Sequence, residues 1–162
     1  MRLYDLCLSE KILDELQRSL VNTGRANPQS ALRLIEAIHV AFPDSIKTAR
    51  TYARLIPQMQ NHPKDRHVLA LAVASKCQTI VTSNLVHFPK SVLEPLAIEA
   101  MHPDVFLMNL FDQAPNVMAG LVQAQAAALK APPMTVQDVI AELDNQGAPR
   151  FATSVKELLG LP

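Results

Sequence analysis

Residues 63–84 constrain this chain more than any other stretch. Pro63-Lys64-Asp65-Arg66-His67 leads into the apolar run Val68-Leu69-Ala70-Leu71-Ala72-Val73-Ala74, which is too short to span a membrane. Cys77-Gln78-Thr79-Ile80-Val81-Thr82 follows and stops at Ser83-Asn84. The pattern predicts a helix and then a strand. An acid behind a proline suits a helix start, where a carboxylate accepts the free N–H groups of the first turn, so Asp65 is placed to cap. Thr79–Thr82 is short, continuous and β-branched, which predicts a strand covered on both faces in a parallel sheet. Reactive groups in such sheets lie just beyond the carboxyl ends of the strands, here Ser83 and Asn84. One helix–strand unit therefore carries two polar positions, Asp65 and Asn84, toward one sheet edge.

Composition narrows the class. At 162 residues, 49% apolar and 19% charged, the chain is globular and long enough to bury a core. Fifteen basic residues balance fifteen acidic ones, which argues against holding nucleic acid by bulk charge alone but leaves room for a local basic surface. Cys7 and Cys77 have apolar neighbours and no CxxC or histidine at ligand spacing, so they read as reduced core thiols of a cytoplasmic protein. Met1-Arg2-Leu3-Tyr4-Asp5 leads into charged residues, so no signal peptide is expected, and no window reaches membrane-spanning length.

Along the chain, Arg2–Leu8 is a candidate short strand, and Ser9 a candidate cap for a helix with Ile12, Leu13, Leu16, Leu20 and Val21 on one stripe. Gly24 ends that helix, and Asn27-Pro28 opens another with Ala31, Leu34, Ile35 and Ile38 as its buried face. Ser45–Met59 fits a helix or a strand and loop equally. A short helix is expected around Ser91–Leu96, a strand at Ile98–Met101 and a helix from Pro103-Asp104 through Phe111. After Pro115 three helices are expected: Asn116–Lys130, Thr135–Leu143 with a Thr135/Asp138 capping box, and Arg150–Leu159. They carry no convergent polar cluster and read as a docking or oligomerisation tail, since their apolar faces need a cover.

Several polar residues compete for a chemical role. Glu15 reads either as a solvated helix charge or as a ligand, Asp65 as a cap or a ligand, Asn84 as a turn residue or an amide oxygen aimed at a metal or phosphate. His62, His67 and His87 lie too far apart in sequence for a zinc triad and read as surface or loop histidines. If Glu15, Asp65 and Asn84 converge, their all-oxygen set suits Mg²⁺ or Mn²⁺, ions that grip phosphate oxygens and activate water. Lys47, Arg50, Arg54, Lys64, Arg66 and Lys90 lie around the same positions with few acids. They read either as a mixed solvated surface or as an RNA-backbone contact.

Pro63–Ala72, followed by Thr79-Ile80-Val81-Thr82-Ser83-Asn84-Leu85-Val86-His87-Phe88-Pro89, resembles the PIN-domain family, the ribonuclease fold of VapC-like toxins. The resemblance continues through Ile98–Leu107 and extends back over Leu8–Leu16, which is similar to the family's second helix. The resemblance implies an α/β fold, a PIN-like parallel sheet flanked by helices over residues 1–114, with a C-terminal helical extension over 115–162. It also implies metal-dependent cleavage of single-stranded RNA, with Mg²⁺ or Mn²⁺ as cofactor and a cognate antitoxin as partner. Carried over residue by residue, Glu15 and Asp65 match the acidic metal ligands. Asn84 matches the position after the strand.

Two departures set further expectations. The pattern Asn-Leu-x-Asp-Phe-Pro has His87 in place of the aspartate, which removes a negative group. The family also opens with an aspartate-bearing strand and a helix before the Leu8–Leu16 segment, so the resemblance implies a domain truncated at its N-terminus. A central strand lost in this way leaves backbone groups unpaired. A separately encoded N-terminal fragment, a second copy in a homo-oligomer, or a rearranged sheet is then expected to fill the gap. The alternative to a nuclease is a catalytically inactive PIN-like module for binding or assembly. A third class is an antitoxin-like partner that docks through its tail.

Overall fold

The computed structural model describes residues 3–130 and 132–162. The chain divides into two compact units. One comprises the described residues up to Ile80 together with Val86–Ala100; the other comprises Val81–Leu85 with Met101–Pro162.

In the first unit, β1 (Leu8–Ser9) enters α1 (Glu10–Asn22), whose first turn is closed by Ser9 Oγ accepting from Ile12 N–H. The strand is shorter than the alternation of Arg2–Leu8 suggests and falls at its end; Arg2 lies outside the described residues. Helix α2 (Pro28–Ala41) is capped by Asn27 Oδ1 accepting from Ser30 N–H at 2.8 Å, as the Asn-Pro pair predicts. Its buried face is narrower than expected: Ala31 and Ile35 are buried, whereas Leu34 is exposed. The ambiguous stretch resolves into β2 (Ile46–Lys47), α3 (Ala49–Tyr52) and a 3₁₀ turn over Ala53–Gln58. Pro57 has no N–H to continue an α-helix. β1 and β2 pair in parallel, with Leu8 opposite Ile46 and Ser9 opposite Lys47.

Helix α4 (Arg66–Ala74) is the axis of this unit's core. Leu69, Ala70, Leu71 and Ala72 on it cluster with Tyr52, Met59, Ile80, Phe88, Leu93 and Ile98, and both cysteines pack against the cluster. Burial raises the Cys77 thiol from 9.0 to about 11, helped by the neighbouring Cys7 and opposed by Lys47. Strand β3 (Thr79–Val81) lies beside β4 (Glu99–Met101), after the short helix α5 (Lys90–Leu93) and a 3₁₀ turn over Glu94–Leu96. Gln78 C=O accepts from Glu99 N–H, and Met101 C=O from Thr82 N–H. Both partners advance together, the parallel sense. Only Ile80 of β3 is buried and Val81 is exposed, so the strand is not covered on both faces as its β-branched run suggests. Parallel strands flanked by helices make this an α/β fold, although among the described residues the strands form two separate pairs.

In the second unit, α6 (Pro103–Gln113), α7 (Pro115–Ala128), α8 (Val136–Asn145) and α9 (Pro149–Leu158) pack on one another. Leu110, Met118, Val122, Val139, Ile140, Phe151 and Val155 form the buried faces, so these helices cover much of each other's apolar surface. The Thr135/Asp138 capping box is present. Asp104, buried on α6, accepts from Phe151 N–H at 3.0 Å and Arg150 N–H at 3.4 Å, capping α9 from another helix. No helix among the described residues is long and apolar enough to cross a membrane.

Candidate metal centre

The entry to α4 collects the polar side chains of the first unit. His62 N–H donates to His87 C=O at 3.2 Å, Asp65 N–H donates to His62 C=O at 2.9 Å, and Lys64 N–H donates to His62 Nδ1 at 3.4 Å. These bonds wind Pro63–Asp65 into a 3₁₀ turn that runs into α4. Asp65 stands at the N-cap position, but its side chain does not cap. The carboxylate instead meets His87 Nδ1 at 2.5 Å, where an imidazole N–H gives a stronger, charge-assisted partner than a backbone amide. The rings of His62 and His87 stack with centroids 3.7 Å apart and planes 9° from parallel. His62, Asp65 and His87 each offer one ligand atom, all within 4.8 Å of one another. Among the described residues, this is the one group of three or more His, Cys, Asp or Glu side chains so placed.

Glu15 takes a different partner. From α1 its Oε2 lies 3.1 Å from Nε2 of His67, which is 2% exposed in the first turn of α4. Glu15 is therefore not a merely solvated helix charge, and it does not belong to the three-residue group around Asp65. His67 Nδ1 and both amide atoms of Asn61 are buried without a hydrogen-bond partner. Asn84 belongs to the second unit, where it is exposed and its N–H donates to Thr82 Oγ1 at 3.0 Å, closing a turn. Of the basic residues, Arg50, Arg54, Lys64 and Lys90 are exposed, and half-buried Arg66 donates from Nε to Asn61 C=O at 3.4 Å.

Residues 2–85 match the family described as "PIN domain". The chain belongs to the PIN-domain family. Residues 103–157 match the family described as "VapC50 C-terminal domain", which places this PIN chain in the VapC-like branch. The protein named "Putative ribonuclease VapC50" of Mycobacterium tuberculosis is 39% identical over 118 residues, covering 72% of this chain and 69% of that protein. No solved structure matches the chain.

PIN domains are generally dependent on divalent metals, and the donor set around Asp65 fits such an ion. One carboxylate oxygen and two imidazoles suit Mn²⁺ or a later transition ion better than Mg²⁺, which demands oxygen and keeps its waters. Sequence spacing concealed this group. His62 and His87 lie on separate turns, and the backbone bond between them and the Asp65–His87 contact help bring the rings together. His67 carried a readable signal, since a histidine leading directly into Val68–Ala74 has an apolar helix to be buried with.

Proposed function

We propose that this PIN domain is a metal-dependent endonuclease of single-stranded RNA, acting in the cytoplasm as the toxin of a toxin–antitoxin pair. The observation that carries this reading is the position of Asp65, in a three-donor group suited to a divalent ion, within a chain 39% identical over 118 residues to the protein named "Putative ribonuclease VapC50". A divalent ion held there would supply positive charge to polarise a phosphodiester and to acidify water. Asp65 is the charged ligand of the site, held in place by His87. Glu15 is the second acidic ligand, oriented by His67. Arg50, Arg54, Lys64, Arg66 and Lys90 hold the RNA backbone, a sequence-independent contact that weakens as salt rises. Residues 1–114 are the nuclease domain and 115–162 the helical tail. The test is cleavage of single-stranded RNA by the purified chain with Mn²⁺. Cleavage that survives Asp65→Ala would sink the assignment.

One observation favours a second reading, an inactive PIN-like module for binding or assembly. His87 stands where the family pattern has an aspartate, and it engages the Asp65 carboxylate. Titration calorimetry separates the two, because an inactive module gives no heat with millimolar Mg²⁺ or Mn²⁺.

A further inference from the structure

We propose that His62, Asp65 and His87 form a transition-metal site that takes Zn²⁺ in preference to Mg²⁺. The inference deepens the reading of Asp65 as a metal ligand and rests on it. Two imidazoles and one carboxylate are a donor set that Zn²⁺ accepts and Mg²⁺ does not favour. In a tetrahedral centre with bonds of about 2.0–2.2 Å, ligand atoms lie roughly 3.3–3.6 Å apart, so a group already within 4.8 Å needs only side-chain adjustment. The adjustment is specific. Nearly parallel rings cannot both aim a nitrogen lone pair at one ion, so loading turns them out of the stack. Rotation about the χ2 bond of histidine is soft, and His62 is exposed, which leaves it room to turn.

Charge supplies a second reason. Neutral imidazoles add none, so the three donors His62, Asp65 and His87 taken by themselves leave a divalent ion with a net charge of about +1. Three carboxylates around the same ion would leave it negative. A two-histidine, one-carboxylate set therefore attracts a phosphodiester with a single acid.

The experiment uses the full chain stripped with a chelator, titrated by calorimetry with Zn²⁺ and with Mg²⁺, and by visible absorption with Co²⁺ as the spectroscopic stand-in for Zn²⁺. One equivalent of Zn²⁺ is expected to bind at least about 100-fold more tightly than Mg²⁺, with Co²⁺ giving the intense bands of a low-coordinate site. H62Q and H87Q are each expected to weaken Zn²⁺ by at least about 10-fold. His62 is exposed, so H62Q tests the site even where H87Q disturbs folding. H87D is expected to move the preference back toward Mg²⁺ and Mn²⁺. Zn²⁺ binding unchanged in H62Q, or Mg²⁺ binding as tightly as Zn²⁺, overturns the proposal. Absence of RNA cleavage with every metal overturns the nuclease reading and leaves the Zn²⁺ result standing, so the two failures are distinguishable.

Discussion

The two units treat buried carboxylate, amide and imidazole groups in opposite ways. In the second, buried Asp104 spends both carboxylate oxygens on the N–H groups of Arg150 and Phe151, and the helix it caps is the return for its burial. In the first, Asn61 and His67 are as deeply buried, yet His67 Nδ1 and the whole Asn61 amide have no partner. They lie in the chain segment that carries Asp65, His62 and the start of α4. Satisfied burial reads as architecture, and unsatisfied burial beside ligand-bearing turns reads as chemistry kept at a cost in stability.

The largest effect should come from breaking the satisfied side. Asp104→Ala strands two backbone donors at the start of α9 and is expected to cost about 2–3 kcal/mol in denaturant unfolding. Asn61→Leu tests the unsatisfied side. It replaces an unpartnered buried amide by an apolar group of similar size, and should leave stability unchanged or raise it by roughly 1 kcal/mol while RNA cleavage falls. A loss of stability like that of Asp104→Ala would erase the contrast between the units.

The fold was legible wherever a local rule decides the backbone. Ser9, Asn27 and the Thr135/Asp138 box cap the helices that their sequence positions announce, and Pro103 and Pro115 open helices where expected. The site was legible in its carboxylates and not in its contacts. Asp65 sits at the start of α4 as read, but the sequence offers both a cap and a ligand role, and only the approach of His87 shows where the carboxylate goes. Spacing reads His62 and His87 as surface or loop histidines, a rule that holds for ligands on one element and fails when separate turns meet. The covering expected for the last three helices is supplied in large part by those helices and α6, a packing no single-helix pattern encodes.

Two smaller effects compare titrating groups in the two units. In the first, the Cys77 thiol holds its proton up to about pH 11, against 9.0 ordinarily. Its raised value means a stabilising contribution in place below pH 9 and lost as pH rises toward 11. Alkylation of Cys77 should keep accelerating above pH 9, where an exposed thiol levels off. In the second, the hydrogen bonds from Thr135 hold the Asp138 carboxyl below its usual 3.8. That contribution is present above pH 3.8 and lost as pH falls through the lowered value, so Asp138→Asn should flatten the acid limb of the melting temperature. The group is exposed, so this change should be the smallest of the set.

The contrast between chemistry and architecture meets its most direct test at Asp65. Asp65→Ala should be assayed side by side for single-stranded RNA cleavage with Mn²⁺ and for unfolding in denaturant. Because the carboxylate caps no helix and is only half-buried, stability should change by less than about 1 kcal/mol. Cleavage should fall by at least about 100-fold, as expected on loss of a metal ligand. Cleavage at the parent rate, or a loss of activity that merely follows a loss of stability, would contradict the assignment of chemistry to the first unit.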